Sequence, residues 1–421
     1  MIAEPKKIIL FDSWTKGTVN IIRLLGALKN QNMEILLVHM GSWGDDVGRP
    51  DKEVISGINV HDIRIYDGFE SVLQIEQPDL VLFLSLDPIL HRAFNRYCIA
   101  NKIPTVNLYH GVHSVYESLS AERKNIYNYW LWVASRAKRT LKYILPVYIL
   151  SLIRSKASPR EWISFIGELF SKMIGIGISK APPDAVASWI CVFNDYDVKH
   201  AQAKFSVSPN RIAVVGYPDI TKFNGLEKLI FRYTEEASYT NDYIVYIGTG
   251  IRGTKMMLVD EQDYYQHLMD TNEEIKKINK RMVCKLHYSR INAIKQLVKQ
   301  NQSDIDFCED DEFVGVLQKS CGAIIEPSTA ALVPVLMGKP VFLAQYGKLF
   351  GLTFGPALAS YPKSYAIVSL SDLSLIGKPT VSAGASMDTN TWIKSVSGPF
   401  PASKMPERVV NVLNSAIRAN S

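Results

Sequence analysis

A polar junction between two apolar segments is the first feature of the sequence that could support chemistry. In "IIEPSTAALVPVLMGKPVF", residues 324 to 342, an apolar strand leads into Glu326, Ser328 and Thr329, and then into small residues typical of a helix. At such a junction in a parallel sheet, the first N–H groups of the helix bind anions. The sequence predicts that Ser328 and Thr329 bind an anion, with Glu326 beside them. An ordinary helix N-cap is the alternative for Ser328.

A histidine flanked by basic residues follows another predicted strand. The motif "KLHYSR" places His287 after the strand, between Lys285 and Arg290. Histidine and cationic side chains stabilise the negative charge that builds on a leaving phosphate. We therefore predict that His287 and Lys285 belong to the same anion site. The alternative is a partly buried histidine that caps the end of the strand.

A glycine-rich loop follows the first strand of the second half of the chain. It has the sequence "YIGTGIRGTK", residues 246 to 255, and contains Gly248, Gly250 and Arg252. Glycines let the backbone wrap a phosphate, and the planar guanidinium of arginine matches the two oxygens of a carboxylate. The loop lacks the full spacing of a dinucleotide-binding motif, so an ordinary turn stays open as the alternative.

Candidate acids and bases also occur at strand ends in the first half. His110 lies in "NLYHGVHSVYES", Asp12 ends the first strand in "LFDSWTKG", and Asp219 ends "VVGYPD". A histidine that titrates near neutral pH can act as an acid or base on a hydroxyl group. We predict catalytic roles for these three residues. The alternatives are an N-cap for Asp12 and a turn position for Asp219, and for Asp87 in "SLDP" we favour the N-cap.

An acidic run at residues 304 to 313, "DIDFCEDDEF", is similar to the acidic motifs that bind metal ions. We instead predict that Asp310, Asp311 and Glu312 cap the following helix and favour its positive end. No essential metal and no cofactor are predicted.

The elements that position these residues alternate between short apolar runs and helical patterns. The first round includes "KIILF", "EILLVH", "DIRIY", "DLVLFLS" and "PTVNLY", and the second includes "IVYIG", "RMVCKLH", "DIDFC", "GAIIE" and "KPVFLA". This βαβ rhythm is typical of parallel sheets. We predict an α/β fold of two Rossmann-like, doubly wound domains that face a cleft. Their bounds are 1–219 and 220–421, with "PERVVNVLNSAIRAN" as a closing helix of the second.

Size and composition exclude several classes of protein. A chain of 421 residues suits two domains, and its net charge of +6 with scattered basic residues gives no support for a nucleic-acid partner. The five cysteines occur singly, which predicts buried thiols in a reducing compartment and neither a zinc site nor disulfides. The amino terminus does not have the pattern of a signal peptide, so we expect a cytoplasmic protein.

The segment from 124 to 178 departs from the alternation and is rich in aromatic, aliphatic and basic residues. It forms most of a predicted helical insertion at about 120–180. One interpretation is an amphipathic surface that contacts anionic lipid at the inner membrane, chiefly through residues 124–160. The other is a set of ordinary helices laid over the sheet. Its apolar part, "YILPVYILSLI", is too short to span a bilayer.

Two consecutive α/β domains, with "VVGYPD" at their seam and "EPST" and "GKPV" near the end, resemble the two-domain GT-B glycosyltransferases over nearly the whole chain. Within that group, "KLHYSR" and "EPST" are most similar to the His-Pro pair and Ser/Thr motif of bacterial CMP-sialic acid and Kdo transferases. Tyr288 stands in place of the proline. The resemblance implies a nucleotide-sugar donor bound by the second domain and an acceptor bound by the first.

The resemblance further implies transfer of a sugar from CMP-Kdo, or a related CMP-ulosonic acid, to a lipopolysaccharide O-antigen or capsule. The acceptor would be a glycan or a lipid-linked glycan. Asp219 would be the nucleophile of a retaining reaction, and His110 and Asp12 would act on the acceptor. Retaining UDP-sugar enzymes hold the ribose with a glutamate near positions 332 to 334; its absence here favours CMP. The alternatives are a UDP-sugar glycosyltransferase, a sugar 2-epimerase and a non-catalytic scaffold of polysaccharide assembly.

Overall fold

The chain forms two compact units in a computed structural model that describes residues 4–43, 48–110, 137, 139–173, 181–223, 226–230, 242–249, 260–349, 354–376 and 388–420. The first unit contains the described residues up to 110, those from 137 to 216, and 399–420. The second contains the described residues from 217 to 398. Each unit is an α/β body with its own sheet and its own apolar core.

The sheet of the first unit has eight strands within the described residues, in the order β3-β4-β2-β1-β5-β6-β7-β8. They are β1 (Lys6–Asp12), β2 (Met33–His39), β3 (Lys52–Ile55), β4 (Ile58–Asp62), β5 (Leu80–Phe83), β6 (Thr105–Leu108), β7 (Trp189–Val192) and β8 (Ile212–Val214). The edge strand β3 runs antiparallel to β4, and the other pairs are parallel. The central strand β5 is wholly apolar, and β1 has a continuous apolar run at residues 8–11, because helices cover both faces of a parallel sheet.

The helices of the first unit follow the βαβ rhythm until β6, where a helical segment interrupts it. They are α1 (Trp14–Asn30), α2 (Phe69–Glu76), α3 (Ile89–Ala100), α4 (Leu145–Arg154), α5 (Pro159–Met173) and α6 (Asp195–Phe205). A short π-helix, Thr140–Ile144, leads directly into α4. The rings of Phe11, Phe69 and Phe94 pack together where β1, α2 and α3 meet, with centroids 4.5 to 5.3 Å apart.

One predicted strand of the first unit was wrong. The run "DIRIY" was expected to be a strand, but Ile63–Ile65 is a 3-10 turn and the strand lies just before it, at β4. β4 forms a hairpin with β3 through Ser56 and Gly57, which both have positive φ angles. Two consecutive positive φ angles match the two-residue turns that fit the twist of a hairpin. The dipeptide Ser-Gly was the signal for this turn.

Buried ion pairs hold α4 and α5 against α3. Arg92 on α3 donates to Glu168 on α5 at 2.6 Å and to Asp184 at 2.9 Å, and its third nitrogen donates to the Tyr148 hydroxyl on α4 at 2.9 Å. Arg96, one turn further along α3, also bonds Asp184, at 3.2 Å. The described part of the 124 to 178 segment therefore consists of helices packed on the first unit; residues 124–136, 138 and 174–178 lie outside the described residues. Every helix described is too short or too polar to cross a bilayer.

The sheet of the second unit has six strands within the described residues, all in parallel pairs, in the order β11-β10-β9-β12-β13-β14. They are β9 (Tyr243–Ile247), β10 (Arg281–Lys285), β11 (Asp306–Phe307), β12 (Ala323–Ile325), β13 (Val341–Ala344) and β14 (Ser364–Ile367). The helices are α7 (Asp219–Lys222), α8 (Leu226–Leu229), α9 (Glu261–Lys277), α10 (Tyr288–Gln300), α11 (Phe313–Gln318), α12 (Leu332–Leu336), α13 (Pro356–Ala359) and α14 (Thr389–Ser397).

The last helix, α15 (Met405–Arg418), belongs to the first unit, although the sequence was interpreted as placing it in the second domain. Its apolar face packs against α1, and Lys6 on β1 bonds Asn414 at 3.2 Å. Arg408 donates to the carbonyl oxygens of Val215 and Pro399 at 2.7 and 2.9 Å, next to the points where the chain leaves and re-enters the first unit. An amphipathic helix can pack wherever an apolar groove lies open, which the sequence alone does not reveal.

Candidate functional site

Three neighbouring strands of the second sheet end in predicted site residues. Gly248 follows β9, His287 lies two residues after β10, and Glu326 follows β12. Because β9 pairs in parallel with both β10 and β12, these residues lie at one edge of the sheet, the edge where ligands bind in open α/β folds. The structure thus brings together three of the predicted donor-binding positions.

Glu326 is fully buried beneath this edge. Its carboxylate accepts hydrogen bonds from the Tyr246 and Tyr264 hydroxyls, at 2.8 and 2.5 Å, and from the Thr249 N–H at 2.8 Å. Burial raises the pKa of the Glu326 carboxyl above its ordinary value, and these bonds together with the charge of Arg290 oppose that rise. Through its bond to the Thr249 N–H, the Glu326 side chain holds the start of the glycine loop in place. The sequence had predicted that Glu326 would contact the nucleotide-sugar donor directly.

Gly248 fills a place that admits no side chain. A Cβ atom there would lie 2.4 Å from the Tyr264 hydroxyl and 2.9 Å from a methyl group of Leu286. Glycine is therefore required for the backbone to pass above Tyr264, which is a steric reason distinct from the phosphate wrapping we predicted. Gly250 and Arg252 lie outside the described residues.

Arg290, in the first turn of α10, was noted in the sequence only as a flank of His287 and was not predicted as a site residue. Its side chain is buried, with 2% of the residue exposed, and its guanidinium carbon lies 4.2 Å from the centroid of the Tyr264 ring. Its Nε and Nη1 atoms have no hydrogen-bond partner within the part of the chain that the structure describes. A guanidinium stays charged at any physiological pH, and burying one without acceptors is costly. The position therefore favours an anion supplied from outside the chain.

His287 immediately precedes α10 and is half-buried. Its carbonyl oxygen accepts the N–H of Arg290 at 2.9 Å, so the two residues share the first turn of the helix. Burial lowers the pKa of His287 below its ordinary value, and the positive charges of Lys285, Lys222 and Arg290 lower it further. The imidazole is consequently neutral at pH 7 and lies in a positive field. A bound anion would reverse that field and favour its protonation.

Lys285 points to an acidic partner next to this site. Its Nζ lies 2.6 Å from Asp310, which also lies 2.8 Å from Lys222. Although burial raises the pKa of Asp310, the hydrogen bonds of the two lysines lower it to about 2. Asp310 therefore pairs with these lysines, and the prediction that its side chain caps α11 was wrong. Glu312, the residue before α11, makes no side-chain capping bond to that helix and accepts the N–H of Glu309 at 3.3 Å.

Ser328 acts as a local cap. It is almost completely buried, and its hydroxyl accepts the Ala330 N–H at 3.3 Å. Thr329 begins a three-residue 3-10 turn, Thr329–Ala331, that leads into α12; its side chain lies outside the described part. With only five residues in α12, this junction has a much smaller helix dipole than the one we expected. Anion binding by Ser328 and Thr329 stays a prediction.

In the first unit, Asp12 is paired with a histidine that the sequence analysis missed. Asp12 is buried at the end of β1, with one carboxylate oxygen 3.5 Å from His91 Nε2 and the other accepting the Ser13 N–H at 2.6 Å. Burial raises the pKa of Asp12, but His91 and the charge of Lys16 outweigh it, so this pKa lies below its ordinary value. The available signal was a histidine in the first turn of α3, after β5, the neighbour of β1.

The other residues considered in the sequence analysis, His110, Asp219 and Asp87, each follow a different strand. His110 follows β6 and is exposed, with Nδ1 3.3 Å from the Asn20 amide nitrogen. Asp219 is the first residue of α7, and its side chain lies outside the described part. Asp87 does not cap α3, which begins after Pro88; it pairs with Lys204 at 2.6 Å.

Comparisons with known proteins bear on the fold. No protein-family model and no curated protein sequence matches the chain. Among solved structures, the chain is similar to the UDP-GlcNAc 2-epimerase of Methanocaldococcus jannaschii in complex with UDP-GlcNAc and UDP, with 13% identity, TM-score 0.52, and 97% and 99% of the two chains covered. It is also similar to the calicheamicin glycosyltransferase CalG4, with 11% identity, TM-score 0.54 and 99% of each chain covered.

A third similar structure is the wall teichoic acid polymerase TagF with CDPG, at 13% identity and TM-score 0.50, covering 99% of this chain and 90% of that one. At such low identities the likeness concerns the fold alone. The predicted fold class is confirmed: the chain has two α/β units with parallel sheets and a GT-B-like architecture.

Proposed function

We propose that this protein is a glycosyltransferase that uses a nucleotide-sugar donor, and that the donor phosphate binds at the first turn of α10, between His287 and Arg290. The observation that carries the proposal is the buried Arg290, whose Nε and Nη1 lack acceptors in the described residues. It lies at the carboxyl edge of the second sheet in a GT-B-like fold, where the first turn of a thirteen-residue helix adds its own N–H groups. Arginine and helix N–H groups together suit a phosphate.

The proposed chemistry is stabilisation of a leaving nucleotide phosphate. As the bond from the sugar to the phosphate oxygen breaks, its electron pair goes to that oxygen, and Arg290 neutralises the charge that develops there. His287, neutral in the free protein, takes up a proton when the phosphate binds and then donates a hydrogen bond to it. Ser328 and Thr329 remain candidate hydroxyl donors to the same group, and Lys285 contributes positive charge.

For the donor we propose a CMP-linked ulosonic acid such as CMP-Kdo. The motifs "KLHYSR" and "EPST" support this choice, as does the segment from 332 to 334, which is buried and apolar and offers no carboxylate to a ribose. Arg252 would bind the carboxylate of the acidic sugar. Asp219 and His110 remain the proposed groups at the anomeric carbon and on a glycan acceptor. The buried Asp12, already paired with His91, would act through that histidine.

Calorimetry with CMP, CDP and UDP tests the proposal. The matched variants are Arg290→Met and Arg281→Met, because Arg281 lies on β10 in the same unit but is exposed. We expect CMP to bind more tightly than UDP, and Arg290→Met to weaken binding by about 10- to 100-fold, as expected for lost hydrogen bonds to a charged group. Arg281→Met should bind as the wild type does. Equal weakening by both variants, or no nucleotide binding at all, would overturn the site, whereas tight UDP binding without CMP binding would overturn the donor.

The proposed setting is cytoplasmic, where nucleotide donors are made available to such transferases. The five cysteines support a reducing compartment, because all of them are buried free thiols. Burial raises the pKa of Cys98 and Cys191, which keeps both thiols protonated and unreactive.

A sugar 2-epimerase is the second candidate, since the fold is shared with the epimerase described above. It requires no acceptor and converts one UDP-sugar into its isomer. Incubation with UDP-GlcNAc, followed by separation of the sugars, distinguishes the two functions: isomer formation without an acceptor would replace the transferase assignment.

A further inference from the structure

The helix α5 exposes an apolar face to solvent. Ile163, Ile166 and Phe170 are spaced three and four residues apart, so they lie on one side of the helix, and they are 71, 62 and 63% exposed. The opposite side carries Phe165 and Glu168, which are buried against the first unit. We name the three exposed side chains the outer face of α5. Single exposed apolar residues are common, but three in register on one helix mark an interaction surface.

The preceding helix continues this character. Leu150 and Ile153 on α4 are 45 and 58% exposed. They also lie three residues apart, while Tyr148 and Leu152 on the same helix are buried. Two consecutive helices thus each bury one side in the first unit and leave apolar side chains on the other.

Most of the exposed charges around these helices are positive. Lys156 lies in the turn that joins α4 to α5, Arg154 ends α4 and Arg160 is the second residue of α5; all three are exposed. Lys142 lies one turn before α4, and Arg154 pairs with Glu70 on α2 at 3.2 Å. Only two acids occur between residues 139 and 173, and both are neutralised by arginines of α3. Glu168 pairs with Arg92 at 2.6 Å, and Glu161 pairs with Arg96 at 2.7 Å. Apart from the Arg154–Glu70 pair, the exposed side chains described here are apolar or, at Lys142, Lys156 and Arg160, positive.

We propose that the outer face of α5 and the basic turn before it bind the surface of an anionic lipid bilayer. Apolar side chains on one face of a helix insert at the boundary between headgroups and acyl chains, and nearby lysine and arginine residues attract anionic headgroups. The charge complementarity identifies lipid as the occupant, because an apolar protein partner would not require a basic border. The surface would hold the enzyme next to a lipid-linked acceptor, and its test does not depend on the donor.

Vesicle co-sedimentation without nucleotide tests this surface. The probes are phosphatidylcholine vesicles with and without about a third phosphatidylglycerol, at about 0.1 and 0.5 M NaCl. The test variant is Ile163→Ser/Ile166→Ser/Phe170→Ser, and its matched control is Val54→Ser/Ile75→Ser, which removes apolar side chains 69 and 63% exposed elsewhere in the first unit. A third variant, Lys156→Gln/Arg160→Gln, removes charge alone.

We expect the wild type and the control to bind anionic vesicles, with much weaker binding to neutral vesicles and at high salt. The triple serine variant should lose about tenfold or more in affinity, and the charge variant should lose its salt dependence in part. Circular dichroism verifies that each variant is folded. Unchanged binding by the triple variant, or no binding by the wild type, would overturn the proposal. The proposal would also fail if the wild type formed a dimer, the triple variant were monomeric, and neither bound vesicles. The outer face of α5 would then be an interface between two copies of the chain.

Discussion

Each unit buries an arginine in a helix next to its sheet, and the two arginines differ in what surrounds them. Arg92 in the first unit directs all three of its nitrogen atoms to partners: Asp184, Glu168 and the Tyr148 hydroxyl. Arg290 in the second unit is buried to the same degree, yet its Nε and Nη1 have no partner in the described residues. Glu326, a carboxylate whose pKa the Arg290 charge lowers, already accepts hydrogen bonds from three other donors.

This contrast separates a structural charge from one available to a ligand. The Arg92 charge is fully used within the fold, where it fastens α4 and α5 to α3. Within the described residues the Nε and Nη1 atoms of Arg290 have no acceptor, so the fold bears the cost of burying this charge without hydrogen bonds to those atoms. Burial and charge alone would predict the same role for both arginines; the hydrogen bonds around them lead us to predict different ones.

The largest effect is expected for Arg92→Met. The substitution leaves Glu168 and Asp184 buried without their main counter-charge, and breaking a buried pair in this way costs about 3 to 5 kcal/mol. Urea denaturation measures the loss. The control is Arg154→Met, whose side chain is 57% exposed and pairs with Glu70 at the surface, so its cost is under about 1 kcal/mol. Similar losses of unfolding free energy in the two variants would contradict a structural role for Arg92.

Glu326→Gln should destabilise the second unit by about 2 kcal/mol. The amide removes the negative charge near Arg290, which cannot lose its own proton, and it presents an N–H₂ group or a poorer acceptor to the Thr249 N–H. Urea denaturation is again the measurement. Wild-type stability in this variant would mean that Arg290 is compensated by some other group, and the contrast with Arg92 would fail.

Arg290→Met should change stability by less than about 1 kcal/mol. Among the described residues its Nε and Nη1 have no hydrogen-bonded partner to leave behind, and Glu326 can take up a proton instead. Urea denaturation on the protein used for calorimetry measures this. The expected pattern is weak nucleotide binding with an intact fold, the reverse of Arg92→Met. A loss of stability as large as that of Arg92→Met would make Arg290 a structural residue.

The smallest effect is a pH dependence of nucleotide affinity. We expect a bound phosphate to raise the pKa of His287 above its lowered value in the free protein. Binding is therefore tightest below the free-state pKa and weakens as the pH rises through the higher pKa of the complex, by at most about tenfold per pH unit. Calorimetry of CMP binding at several pH values measures it. His287→Gln should flatten the profile, and a slope that survives in this variant would exclude His287 as its source.

The sequence was sufficient for features that depend on local pattern. Apolar runs identified β1, β2, β5 and β6 in the first unit and β9, β10, β12 and β13 in the second, because parallel strands covered on both faces are continuously hydrophobic. The prediction failed at β4. The hairpin turn at Ser56 and Gly57 places this strand before residues 62 to 66, the apolar run that was predicted to be a strand.

Contacts between residues that are distant along the chain could not be predicted from the sequence. The unsatisfied state of Arg290 depends on Tyr264 and Glu326, which are 26 and 36 residues away along the chain, and on what each of those already binds. The contact between His91 on α3 and Asp12 at the end of β1 was likewise not predictable from the sequence. Nor was the burial of Glu326, whose position after a strand suggested contact with a ligand. Residue type was visible in each case, and the surrounding hydrogen bonds were not.

The placement of α15 also bears on the order in which the protein is made. The ribosome synthesises the whole second unit before it synthesises α15. Until α15 is made, the groove beside α1 in the first unit therefore stays uncovered. Removing residues 399 to 420 would consequently damage the unit that begins the chain and leave the other intact, and a nascent chain that stalls before residue 405 would expose that groove to chaperones.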